Sequence, residues 1–87
     1  MSDSLIRIKE VEARIGIKKS MLYDHIKKGL IVGAIRIGDR AVAFLSSEID
    51  AIVAARIAGK SDDEIRELVK TLTAKRQQLA DEILEAS

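Results

Sequence analysis

Apolar residues at Ile8, Val11 and Ile15, separated by charged ones, mark one face of a two-turn helix that stops at Gly16. A second short helical stretch turns Leu22 and Ile26 to one side and stops at Gly29. Neither helix is long enough to be stable alone. Val11, Ile15, Ile17, Leu22 and Ile26 must therefore be buried together, which makes the two helices cross through a Gly-containing turn, the helix-turn-helix geometry. The period then changes from helical to alternating. Ile35-Arg36-Ile37 and Val42-Ala43-Phe44 read as the strands of a hairpin joined by a two-residue loop, Gly38-Asp39. In that register Ile35, Ile37, Val42 and Phe44 share an apolar face, while Arg36 and Arg40 flank an exposed tip.

Helical spacing returns after the hairpin. Ser47, with Asp50 three residues on, predicts an N-cap; Ile49, Ile52, Val53 and Ile57 form the inward stripe, and Gly59 closes the helix. A stronger capping box follows at Ser61 and Glu64, with Asp62, Asp63 and Glu64 in the first turn where the helix dipole favours carboxylates. The last helix is expected to run from Asp62 to near Ala86, roughly 37 Å at 1.5 Å per residue. Its apolar stripe of Ile65, Leu68, Val69, Leu72, Leu79, Ile83 and Leu84 is longer than the preceding unit can cover, so part of it is expected to meet a second copy. Lys75 and Arg76 interrupt the seam, which favours a short helix-to-helix dimer or larger assembly over a long coiled coil. The fold class that emerges is mainly α with a small β-hairpin: a winged helix-turn-helix over residues 1–59, then a C-terminal oligomerisation helix over residues 60–87.

The net charge of +1 hides an asymmetry. Residues 1–44 hold nine basic and five acidic side chains, whereas residues 45–87 hold six basic and nine acidic ones. A basic head on an acidic tail suits a phosphate-binding unit carried on a partner-binding one. A chain of 87 residues without Cys has neither a disulfide framework nor a thiolate metal site, and it is compatible with a reducing cytoplasm. The longest apolar run, residues 51–55, is far below the roughly 20 residues of a membrane span, and no signal peptide is recognised.

The candidate chemistry lies on the second helix. A step of about 100° per residue sets Ser20, Asp24 and Lys27 opposite Leu22 and Ile26. These three are the candidates for base edges in a major groove, since Lys donates to guanine and Asp accepts from the cytosine amine. Lys18 and Lys19 stand at the helix N-terminus, where free amides favour a phosphate. With Lys28, the Tyr23 hydroxyl, Arg36 and Arg40 they are read as contacts that set register. His25 is the only histidine and has no Cys to join it, so no metal ligand set is assigned; no nucleophile, acid–base pair or phosphate loop is recognisable either. The expectation is a non-enzyme without a cofactor.

Residues 5–53 resemble the AlpA-type regulators of phages and prophages, within the broader MerR-like and excisionase-like winged-helix group. The resemblance is carried by LIRIKEV at 5–11, GI at 16–17, SMLY at 20–23, IKKG at 26–29, IGDRAV at 37–42 and SEID at 47–50. It implies a DNA-binding regulator of transcription or an assistant of prophage excision. Departures from the family pattern are Lys18 at the usual Ser cap, Asp24 where a base is common, Leu30-Ile31-Val32 in place of a Phe-Pro pair, and Phe44 and Ile52 where tryptophans are common. The leading expectation is a cytoplasmic, sequence-specific double-stranded DNA-binding protein acting as a homodimer or larger assembly. The alternatives are an excisionase-like factor that bends DNA and recruits a recombinase, and an adaptor that has lost DNA binding and docks on another phage or host protein.

Overall fold

A computed structural model describes residues 3–86. Its elements are β1 (Leu5–Ile6), α1 (Ile8–Ile15), α2 (Lys19–Lys27), β2 (Ile35–Arg36), β3 (Val42–Leu45), α3 (Ser46–Ile57) and α4 (Asp62–Ala86). They form a winged helix-turn-helix followed by a long C-terminal helix. The core is built around Val11 of α1, Leu22 of α2, Phe44 of β3, and Ile49 and Ile52 of α3, all of them buried. Ile15, Ile17 and Ile26 pack partly buried against this cluster, so the helix-turn-helix closes around the residues its periodicity indicates. Between the two helices, Gly16 takes φ 81° and donates its amide to the Glu12 carbonyl at 2.7 Å. A side chain there would carry the left-handed penalty.

The sheet differs from the expected two-stranded hairpin. β1 pairs with β3 through Leu5 opposite Leu45 and Ile6 opposite Phe44, giving three antiparallel strands in the order β1-β3-β2. Two residues before α1 carry too little alternation to declare a strand. The wing register also differs. Ile35 faces Ala43, Arg36 faces Val42, and the Ile37 amide donates to the Ala41 carbonyl at 3.0 Å. The loop is thus Gly38-Asp39-Arg40, one residue longer than expected, and Gly38 does not adopt the positive φ that the two-residue turn requires. One extra loop residue exchanges the faces of one strand relative to the other. Phe44 and Val42 consequently share a face with Arg36, while Ile35 joins Ala43 and Ile37 is left 44% exposed.

The N-terminus of α3 is also capped differently. The helix begins at Ser46, without a local side-chain cap, and the first-turn donors are met from the far end of the chain. Asp3 Oδ1 accepts from the Ser47 amide at 3.0 Å and from Ser46 Oγ at 2.9 Å, and Ser47 Oγ donates to Asp3 Oδ2. Partial burial raises the Asp3 carboxyl, but the hydrogen bonds from Ser47, Ser46 and Ser4 outweigh it and hold the group below its ordinary value. A carboxyl depressed in the folded state stabilises above its unfolded value of about 3.9 and loses that contribution as pH falls through the folded value. Asp3→Asn should therefore cost about 0.5 to 1 kcal/mol at pH 7. Its melting temperature should converge on that of the unaltered protein as the pH falls below the ordinary carboxylate range and through the folded value; a gap that is constant with pH would contradict the role.

At the other junction the capping box forms as expected. Glu64 donates its amide to Ser61 Oγ at 3.2 Å, and the Ser61 amide donates to Glu64 Oε1 at 3.0 Å. The short connection at residues 58–61 returns the first half of α4 onto α3. Ile65 is 1% exposed, and Leu68, Val69 and Leu72 pack on the core cluster. These four residues of the expected association stripe are thus engaged within their own chain. Leu79, Ile83 and Leu84 lie exposed farther along. Ile57, expected to face inward, is 82% exposed because the last turn of α3 runs past the core.

Two arginines attach α4 to the rest. Arg66 Nε donates to the Lys28 carbonyl at 3.0 Å, at the end of α2. Arg76 straddles the buried Glu48 carboxylate, with Nε at 2.9 and 3.0 Å from its two oxygens and Nη2 at 2.6 Å from Oε1, and Nη2 also donates to the Gly33 carbonyl at 2.9 Å. The residue that interrupts the apolar seam is therefore a clasp. It closes α4 over α3 and over the buried segment Leu30, Ile31 and Val32.

Candidate nucleic-acid interface

α2 is set by Leu22, fully buried, and by the partly buried His25 and Ile26, which turn the other side of the helix to solvent. Ser20, Met21, Tyr23, Asp24, Lys27 and Lys28 are all exposed there. Lys18 occupies the N-cap position with extended backbone (φ −88°, ψ 163°), makes no side-chain cap bond, and is followed by a first turn with no acidic residue. Absence of a cap leaves the leading amides of α2 to solvent or a ligand. Two lysines beside those amides add to the positive end of the dipole.

Asp24 is engaged in the free protein. Its carboxylate meets Lys28 Nζ at 2.9 Å. The Lys28 hydrogen bond, opposed by slight desolvation and aided by the charges of Lys28, His25 and Lys27, holds the group below its ordinary value. Lys27 makes no ion pair among the described residues.

The wing root and the helix N-termini meet in a shallow depression lined by Arg7, Ile8, Lys9, Lys19, Arg40 and Val42. Lys9 and Lys18 also line the adjoining hollow, with Glu12 and Gly16, at the turn between α1 and α2. A basic surface therefore runs from the wing to that turn. Arg36, with Nη2 donating to the Asp39 carbonyl at 3.4 Å, is exposed near the wing tip. The assigned cations Lys18, Lys19 and Arg40 thus share one surface, which Arg7 and Lys9 extend.

Arg7 and Lys9 have no role in the sequence reading because α1 is read there for its packing stripe. Their only signal is membership of the basic first half. Their proximity to Arg40 depends on β1 and β3 pairing beside α1.

Ion pairing is sparser in the basic first half, where Arg14 and Lys28 are the paired cations among the described residues, than around α3 and α4, where Lys75 alone of the described cations lacks a carboxylate. Among the described residues, Arg7, Lys9, Lys18, Lys19, Lys27, Arg36 and Arg40 form no salt bridge, while Arg14 is held by Glu10 at 2.6 Å and Asp50 at 3.0 Å. On and around α3 and α4, Arg56, Lys60, Arg66, Lys70 and Arg76 are each paired with a carboxylate. Of the unpaired cations, Arg7, Lys9, Lys19 and Arg40 line one depression and Lys18 the adjoining hollow, so their charges sum to a field suited to a polyanion. Among the described residues, no helix is long and apolar enough to cross a membrane.

Comparison with known proteins gives two matches. The family described as "Prophage CP4-57 regulatory protein (AlpA)" matches residues 4–57, a stretch that ends at the last residue of α3. "Uncharacterized protein ORF88" of Enterobacteria phage P4 is 36% identical over 58 residues, covering 67% of this chain and 66% of that protein, just under two thirds of its length. No solved structure matches the chain.

Proposed function

The chain belongs to the AlpA family of prophage regulatory proteins, and from that premise we propose that it binds double-stranded DNA in a sequence-specific manner to regulate phage or prophage genes, in the cytoplasm of the host. The observation that carries this reading is the convergence of Arg7, Lys9, Lys19 and Arg40, none in an ion pair among the described residues, around one depression between the helix N-termini and the wing. In this reading α2 enters the major groove. Ser20, Asp24 and Lys27 meet base edges, Asp24 by exchanging its exposed Lys28 partner for a donor on a base. Lys18, Lys19, Lys28 and Tyr23 hold the flanking phosphates, and Arg36 and Arg40 carry the wing against the neighbouring backbone.

Residues 1–59 supply these contacts and the tail at residues 60–87 supplies self-association. One module of this size makes few contacts, and specific DNA affinities of about 10⁻⁸ M or tighter are usually reached by combining two.

The test is selection of bound duplexes from a random pool, followed by salt titration of the best site. Lys27→Ala should relax preference at one or two base pairs, at about 1 to 3 kcal/mol of lost discrimination. Arg40→Ala should weaken all duplexes alike and make the log-log salt slope shallower by about 0.9. No binding to any duplex at low salt would refute the proposal and favour the adaptor.

A further inference from the structure

We propose that the projecting end of α4 pairs antiparallel with α4 of a second copy, with Lys75 of each chain facing Glu82 of the other. The inference deepens the self-association proposed above by naming the surface, the orientation and the charges that select it.

α4 changes character at the Arg76 clasp. Before it, Ile65, Leu68, Val69 and Leu72 are turned into the chain's own core. After it, the same stripe continues through Leu79 and Ile83, which are 48% and 59% exposed. The stripe does not stop abruptly, because Leu79 lines a hollow together with Leu45 and Leu72 at the edge of the folded body. An apolar seam thus extends from that hollow along the projecting turns, on a helix held firmly at its other end.

The flanking charges distinguish the two ways of pairing this seam. Lys75 and Glu82 are seven residues apart, on the same flank of the helix. Neither enters a salt bridge among the described residues; Glu82 accepts only from Gln78 Nε2 at 3.4 Å. Lys75 is the exception among the basic side chains of α3 and α4, all the rest of which are paired. In a parallel pair this flank faces the opposite flank of the partner, where Lys75 would find Ala80 rather than a charge. In an antiparallel pair with its twofold axis between Gln78 and Leu79, like flanks face each other. Lys75 then meets the partner copy's glutamate at 82 twice over, and Leu79 of each chain packs near the axis.

Geometry and size agree with this arrangement. With the axis between Gln78 and Leu79, residues 71–86 of the two helices overlap, roughly 24 Å at 1.5 Å per residue, with the two folded bodies at opposite ends of the paired helices. Such a contact is small, below the roughly 1,200 Å² of stable complexes, so the dimer is expected to be weak and to gain strength from adjacent DNA sites.

Sedimentation of the full chain from micromolar to submillimolar concentration tests the arrangement, with thermal melts to establish that each variant is folded. Lys75→Glu and Glu82→Lys, alone, should each weaken dimerisation by about tenfold, since two attractions become two repulsions. The double variant should recover, and the two single variants mixed should prefer each other. Glu82→Lys is distant from the folded body, so it keeps the test open even if Lys75→Glu destabilises the fold. A monomer at all concentrations, or a dimer indifferent to both changes, would overturn the pairing. Duplex binding measured on the same samples separates this outcome from failure of the DNA reading, because a monomer retains Lys19 and Arg40.

Discussion

Arg76→Ala is expected to lower stability by about 3 to 5 kcal/mol, measured by urea unfolding, the largest effect of any single change to a charged side chain in this chain. Glu48 is 4% exposed, and its carboxylate takes three of its hydrogen bonds from Arg76. Removing the guanidinium leaves a buried charge whose remaining compensation is the N-terminal end of α3, where Glu48 lies in the first turn. The Gly33 carbonyl loses its donor in the same step. For a domain of this size the total stability is only about 4 to 13 kcal/mol, so the variant should approach the unfolding threshold at 37 °C. Arg76→Lys should recover only part of the loss, since an ammonium cannot span both carboxylate oxygens and the carbonyl as a planar fork does. Replacing both Glu48 and Arg76 with Met should be far milder than either single truncation, because no charge is then stranded. An Arg76→Ala variant within about 1 kcal/mol of the parent would mean that the pair is solvated and that α4 is held by its apolar face alone.

The second large effect is expected on binding rather than folding. Changing Arg7, Lys9, Lys19 and Arg40 together to Ala should reduce affinity for duplex DNA by on the order of a hundredfold or more at 0.1 M salt. The log-log salt slope should become shallower by roughly 3.6, about 0.9 for each phosphate no longer neutralised. All four side chains are on exposed residues outside any salt bridge among the described residues, so the melting temperature should change little. Combining the four tests the depression as a unit, including Arg7 and Lys9, which periodicity alone leaves without a role. If the four-fold variant keeps the parent's slope, the cations do not contact the backbone together and the duplex must lie elsewhere.

These two predictions also show what can be read along the chain. Both rest on contacts between elements, and neither could be stated from spacing. Arg76 reads in sequence as a break in an apolar seam, and only its distance to Glu48 turns it into a clasp. The basic first half, by contrast, is visible as composition, and the exposed face of α2 follows from the positions of Leu22 and Ile26.

What the sequence determined by itself is local: the bounds of α1, the Gly16 turn, the Ser61 and Glu64 capping box, the start of α4, and the polar side of α2. Each of these depends on hydrogen bonds or side-chain directions within a few residues, so the residues that decide them are adjacent in the text of the chain. Tertiary structure alone decided the pairing of β1, the three-residue wing loop and its register, the Asp3 cap on α3, the engagement of Ile65 and Arg76, and the gathering of Arg7 and Lys9 beside Lys19 and Arg40. Those features join residues as many as 44 positions apart, through donors, charges and small rotations of one element on another, and no periodicity encodes such a distance.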